Sequence, residues 1–208
     1  AIKSVAVTAG YINEAPRKEF FSYMDAANVD LKGFTEDFYR KLTGGHLQTV
    51  LDTLVYLKHE TDVWVETTTL LIPGQNDSDE EINKMTQWVV DNRGVDVPMH
   101  FTAFHPDWKR LDVPPTPANT LSRARQIALD NGVHYAYTGN VHDKGGESTY
   151  CHHCGQRLIG RDWYVLSEWN LDAGGCCTHC GKPCAGVFEN KPGTWGARRQ
   201  PVYLKSFA

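Results

Sequence analysis

The sequence predicts an α/β fold with a mainly parallel sheet, followed by a small cysteine module. Short β-branched segments alternate with amphipathic helical segments about five times before residue 141, as strand–helix–strand crossovers require. All six cysteines fall between Cys151 and Cys184, so the last part of the chain follows a different logic. With 41% hydrophobic residues the chain can bury a core, and wholesale disorder is excluded.

The elements follow in order. Ser4 to Thr8 is β-branched and apolar and closes at Gly10, a short strand with its turn. Glu14 to Met24 has helical apolar spacing at Phe20, Phe21 and Met24, with Pro16 in the tolerant first turn. Val29-Asp30-Leu31-Lys32 reads as a core strand closed by Gly33. Alternation places Asp30 and Lys32 on one face and Leu31 on the other. Two opposite charges there either pair or face a polar ligand, because burying either alone is costly. Thr35 is the expected N-cap of a short helix ending near Gly44-Gly45, with Phe34 and Tyr39 placed as a hydrophobic staple. Leu47, Val50, Leu51, Leu54 and Leu57 mark a second helix to about Lys58.

Val63 to Ile72 is the strongest strand, ended by Pro73-Gly74. Ser78 and Glu81 form a capping box for a helix with Ile82, Met85 and Val89 inward and Gly94 beyond its end. Pro98 to Ala103 is a strand, Leu121 to Asn131 a helix stopped by Gly132, and Val133 to Tyr137 a last strand. An open doubly wound sheet and a piece of a (β/α) barrel share this signature. In both, ligands gather at the carboxyl ends of the strands.

The net charge of −4 has no long run of one sign, so nothing points to a nucleic-acid or membrane-surface footprint. No apolar run approaches the roughly 18 residues of a membrane helix. Clustered cysteines in an otherwise cysteine-free chain fit a metal site in a reducing cytoplasm. The composition shifts at about 140–149. The expected organisation is a barrel-like domain over 1–145, a cysteine module over 146–190 and a tail over 191–208.

Cys151-His-His-Cys154 and Cys177-Thr-His-Cys180 are two C-x2-C knuckles, each followed by glycine. Arg161 to Trp169 between them alternates as a hairpin strand, with Trp163, Val165, Ser167 and Trp169 on one face. This is a zinc-ribbon pattern, in which four thiolates close the coordination shell of a structural Zn²⁺. Cys176 and Cys184 are extra thiols, and His152, His153 and His179 are alternative ligands. The run Cys177-x2-Cys180-x3-Cys184 also has spacing that can hold an iron–sulfur cluster. Trp163, Trp169 and Trp195 read as packing around the module, and His100 and His134 as structural.

Five segments, taken in order, resemble the C-terminal part of radical S-adenosylmethionine (SAM) enzymes of the pyruvate formate-lyase-activating type. Thr8-Ala9-Gly10 resembles that family's Thr-Asn-Gly, and Asp30-Leu31-Lys32 its Asp-Leu-Lys strand. Val63-Trp64-Val65 through Ile72-Pro73-Gly74, with the capped start at Asn76-Asp77-Ser78, resembles its Val-Trp-Ile…Val-Pro-Gly segment. Phe104-His105 resembles its Tyr-His. The tail is similar to the two C-x2-C pairs of the AmmeMemoRadiSam subgroup.

The resemblance implies a partial (β/α) barrel that binds SAM, with a [4Fe–4S] cluster whose reduced form yields a 5′-deoxyadenosyl radical for hydrogen abstraction. Asp30 and Lys32 would hold polar groups of SAM, Lys32 suiting its carboxylate. His105 would approach its ribose or adenine side, and Thr8 and Gly10 its methionine end. Glu66, on the same strand as Thr68, reads from its position either as a polar barrel-lining contact to the cofactor or as an outward-facing strand residue. The family's C-x3-C-x2-C cluster loop has no counterpart before Cys151, and Ala9 stands where an amide residue is expected. The chain therefore reads as the C-terminal portion of a longer enzyme, its partner a protein or small-molecule substrate. The other reading is a non-catalytic scaffold whose zinc ribbon binds a protein. The Ser4–Thr8 strand is expected to be an exposed edge through which the chain dimerises.

Overall fold

The computed structural model describes residues 2–193 and Gly196; Trp195 and most of the expected tail lie outside the described residues. The chain divides into two compact units, one through Glu147 and one from Ser148. Among the described residues no helix is long and apolar enough to cross a membrane.

In the first unit five strands form one parallel sheet in the order β1-β2-β3-β4-β5. They are β1 (Val5–Thr8), β2 (Ala26–Asp30), β3 (Trp64–Leu71), β4 (Met99–Ala103) and β5 (Ala136–Gly139). Each strand pairs with the next in sequence. A doubly wound sheet reverses direction at a switch point, so this unbroken order is that of a barrel arc.

The connections carry helices α1 (Glu14–Phe21), α2 (Glu36–Phe38), α3 (Leu47–His59), α4 (Asp79–Arg93) and α5 (Ala118–Asp130). Val29, Val65, Leu71 and Phe101 form the core with Leu54, Ile82, Met85 and Leu121 of the helices. The opposite, inner face is half-buried and polar, as the alternation along β3 shows: Glu66 and Thr68 on it, Thr67 and Thr69 against the helices.

Most element ends fall within a few residues of expectation, and the departures have local causes. β2 stops at Asp30 because the Leu31 N–H turns back to the Val29 carbonyl (3.0 Å), so Leu31 and Lys32 leave the ladder. β5 begins at Ala136 because the N–H groups of Val133 and His134 are taken by Ala128 and Val95. The Thr35 cap forms, its hydroxyl accepting from the Phe38 N–H (3.2 Å), while Phe34 packs beside Trp88.

The capping box at α4 is only half made. Ser78 accepts from the Glu81 N–H (3.3 Å), but the buried Glu81 carboxylate accepts instead from the Phe34 N–H (2.6 Å).

The second unit is a three-stranded antiparallel sheet of β6 (Thr149–Tyr150), β7 (Arg157–Asp162) and β8 (Val165–Trp169), preceded in the first unit by a turn of helix, α6 (Lys144–Glu147). Arg161 to Trp169 is therefore a whole hairpin corner. Trp163 sits in its turn with φ of 53°, which removes it from the face shared by Val165, Ser167 and Trp169. Arg157 and Glu168 form a two-pronged ion pair across the hairpin.

Burial, with the Asp77 charge adding to it, pushes the Glu81 carboxyl above its ordinary value. A folded-state value above the unfolded one means the native chain holds the proton more tightly. The stabilisation is then complete below the unfolded value and is lost as pH rises through the folded one. Glu81→Gln keeps an acceptor for Phe34 and removes the buried charge. Its stability at pH 7 is expected to equal or exceed that of the parent, with a flatter acid-side profile. A loss above about 1 kcal/mol in urea titration at pH 7 would show that the charge itself is needed.

Candidate functional site

The candidate site begins where β2 leaves the sheet. From Leu31 to Phe34 the backbone has no strand partner, and side chains satisfy it instead. The Thr69 hydroxyl donates to the Leu31 carbonyl (2.8 Å). The Lys32 N–H donates to the Tyr39 hydroxyl oxygen (3.1 Å), and the Asn76 amide donates to the Lys32 carbonyl (2.6 Å). Glu81 takes the Phe34 N–H, as above. Asn76 is fully buried and also donates to the Leu70 carbonyl (2.9 Å) and accepts from the Ile72 N–H (2.7 Å). Gly33 is required because a Cβ there would lie 2.7 Å from the Phe38 ring.

With Leu31 buried completely, Asp30 and Lys32 share the other side. They form an ion pair at 2.8 Å with side chains 30% and 39% exposed. Such exposure leaves little net stabilisation, of order 1 kcal/mol at most, so the pair adds little to the fold. Both groups line a cavity of about 320 Å³ with Ala9, Tyr11, Tyr39 and Val50. Burial pushes the Tyr39 hydroxyl up to about 12, so it stays protonated at neutral pH. α2 continues into a single π-type turn (Tyr39–Thr43) ended by Gly44 at φ 71°; such turns recur at functional sites.

The other expected residues are distributed along the same end of the sheet. The Thr8 hydroxyl accepts from the Gly10 N–H (3.1 Å), so it shapes its own loop. Gly10 has φ of 65°, and a Cβ there would lie 2.8 Å from Val29. His105 is exposed beyond the end of β4, two strands from Asp30. The residue before it, Phe104, is anchored by paired hydrogen bonds with Thr116 (3.0 Å each).

Glu66 sits one inner-face position before Thr68, the register partner of Asp30. Its carboxylate accepts from the Trp64 indole (3.2 Å) and contacts His100 Nε2 (2.7 Å). The Thr68 hydroxyl donates to Asn28 Oδ1 (2.9 Å). Sequence reasoning missed Tyr39, Asn76 and the His100 contact. Alternation along β3 and β4 puts Glu66 and His100 on one face, but their pairing needs the register.

In the second unit the sulfurs of Cys151, Cys154, Cys177 and Cys180 all lie within 4.8 Å of one another. Cys151 and Cys180 are 3.6 Å apart, Cys154 and Cys177 3.8 Å. The two knuckles repeat one backbone pattern. Gly155 and Gly181, both at φ 72°, donate to the carbonyls of Cys151 and Cys177 (2.9 and 2.8 Å). The N–H groups of those cysteines donate to Gln156 and Lys182 (2.8 Å each).

Burial works against ionisation of Cys177, but the N–H groups of Cys180 and His179 and the adjacent thiols outweigh it and hold the thiol down to about 7. Four thiolates this close need a cation between them, so the group is a metal-binding one. Cys176 and Cys184 lie outside it.

No protein-family profile matches the sequence. It is 42% identical over 169 residues to an uncharacterized protein of Methanocaldococcus jannaschii, MJ0808; the match takes in 81% of this chain and 50% of that protein. The chain thus spans about half the length of the curated relative it matches.

Among solved structures, it resembles a domain of pyruvate-formate lyase-activating enzyme from Bacteroides vulgatus, with a TM-score of 0.58 and 14% identity. That match covers 67% of this chain and 82% of that one. It also resembles a radical SAM methyltransferase from Sphaerobacter thermophilus, with a TM-score of 0.53 and 18% identity over 74% of this chain and 43% of that one. The chain therefore has the fold of radical SAM enzymes.

Asn76→Ala removes partners from two carbonyls and an N–H in the interior. It is expected to cost about 2–3 kcal/mol in urea unfolding and to speed amide exchange at Ile72. Unchanged exchange there would mean that the loop is held by other contacts.

Proposed function

We propose that the first unit is the SAM-binding part of a radical SAM enzyme and that the second carries a structural zinc ion. The observation that carries the first half is the Asp30–Lys32 pair beside the 320 Å³ cavity, at the strand ends of a sheet with the radical SAM fold. An α-amino-acid zwitterion is the complement of such a pair. Its ammonium suits the Asp30 carboxylate, and its carboxylate suits the Lys32 ammonium. The fit is favourable because Lys32 is fixed through both its backbone N–H and its carbonyl, so its side chain starts from a defined position.

SAM beside a reduced [4Fe–4S] cluster supplies a carbon-centred radical that takes a hydrogen atom from a substrate. The residues of the first unit do not fit that cluster, because none of them is a cysteine. We therefore assign the cluster thiolates to polypeptide outside these residues, consistent with a relative of which the match takes in only 50%. The role left to this chain is to bind and orient. Asp30 and Lys32 grip the amino-acid end, Tyr39 and the π-type turn wall the cavity, and His105 stands at the same edge.

For the second half, a tetrahedral ion with metal–sulfur arms of about 2.3 Å has sulfur–sulfur edges of about 3.8 Å. The observed contacts of 3.6 and 3.8 Å support one ion rather than a multi-iron cluster. Four thiolates leave no open position, the mark of a structural site.

Calorimetry with SAM is expected to show saturable binding that Asp30→Ala weakens at least about tenfold, or 1.4 kcal/mol. Binding indifferent to both Asp30→Ala and Lys32→Ala overturns the assignment. An encoded protein without a C-x3-C-x2-C sequence ahead of these residues removes the radical chemistry.

Metal analysis is expected to find about one zinc per chain and no iron, and a strong chelator should unfold the second unit. Iron with sulfide in its place refutes the zinc assignment.

A further inference from the structure

We propose that Glu66 and His100 form a proton-accepting site on the inner face of the sheet, suited to a neutral substrate that offers an O–H or N–H group. The radical SAM reading supplies a reason for a substrate to lie on that face, but the site itself stands on side-chain geometry.

Glu66 and His100 sit on adjacent central strands, on the face away from the helices. Their side chains are 35% and 30% exposed, enough to reach a ligand and too buried for a free surface pair. An ionised carboxylate only accepts hydrogen bonds. One Glu66 oxygen accepts from the Trp64 indole, and the other faces His100 Nε2 at 2.7 Å. Nε2 must therefore carry the hydrogen, and the lone pair of the neutral ring is on Nδ1. Among the described residues no group bonds that nitrogen. The ring is held on its other side by stacking on Tyr137, at 5.0 Å between centroids and 24° between planes.

This is the arrangement of a base oriented by a carboxylate. Any proton exchanged with a ligand passes through Nδ1, because Nε2–H is committed to Glu66. In the exchange a substrate X–H bond gives its proton to Nδ1 and X keeps the electron pair. The imidazolium so formed lies against the Glu66 carboxylate, and the reverse step restores both groups.

The surroundings favour a neutral, partly apolar ligand. Asp30 and Lys32, the charged groups further along the face, neutralise each other. Trp64 and Leu70 share the inner face of β3. Val7, paired with Asn28 in register, is 81% exposed at the edge. Glu66 is a positioning residue in this scheme, and His100 the group that meets the ligand.

The test uses the chain labelled with ¹⁵N-histidine and long-range proton–nitrogen spectra at a pH where His100 is neutral. Phenol is the donor probe, and anisole is a ring of similar shape without the donor. The expected result is a His100 with hydrogen on Nε2, whose Nδ1 resonance shifts saturably with phenol and not with anisole. Glu66→Ala should mix the two tautomers and weaken the phenol response severalfold while the melting temperature reports an intact fold.

Hydrogen on Nδ1, or equal responses to phenol and anisole, overturns the proposal. SAM titration of the same sample, with Asp30→Ala as control, separates the two readings: loss of SAM binding leaves the His100 signals interpretable, and their failure leaves the SAM site standing.

Discussion

Between Leu31 and Phe34 the backbone runs through the interior without a strand partner, and each of its polar groups must still be paired. An unpaired buried amide or carbonyl costs roughly 1–3 kcal/mol, so four of them would consume a large part of a typical domain's stability. Thr69, Tyr39, Asn76 and Glu81 meet this need from four directions. Because they come from β3, the turn after α2, the loop after β3 and the start of α4, they also tie those elements to the end of β2. The result is a rigid pedestal on which Asp30 and Lys32 stand half-exposed. Stability of the fold and preorganisation of the site have the same cause.

The polarity of the inner face follows from a second constraint. A small closed barrel normally fills its interior with branched apolar side chains. Besides Trp64 and Leu70, the inward positions of β2 to β5 include Asn28, Glu66, Thr68, His100 and Tyr137, which hydrogen bonds and a ring stack link strand to strand. Such residues cannot make an apolar core, but they can remain half-solvated and face a polar ligand. The helix side of the same strands carries the packing. One sheet therefore divides its work by the two-residue period of the strand.

The second unit answers a different need. It buries few large side chains, Leu158, Ile159 and Leu171 among them. Four sulfurs held within 4.8 Å by two matching knuckles are mutually repulsive once ionised, and a cation converts that repulsion into cohesion. The glycine after each knuckle turns the backbone through a left-handed conformation, which lets the first cysteine of each pair close its ring of hydrogen bonds.

What the residues alone determined is what depends on local order: strand and helix periods, the Thr35 cap, the glycine stops and the paired cysteine knuckles. The Asp30–Lys32 pairing was legible too, since two residues apart at a strand end is a local relation. What only the tertiary structure decided is what depends on neighbours distant in sequence. Consecutive strand order chose the barrel arc over the doubly wound sheet, which share one local signature. Glu81 abandoned its capping role because a Phe34 N–H needed an acceptor across the fold. The β3–β4 register brought Glu66 to His100, a pairing no periodicity contains. Hydrogen-bond satisfaction is a condition on the whole interior, so residues such as Asn76 and Tyr39 acquire their roles only when the chain is folded.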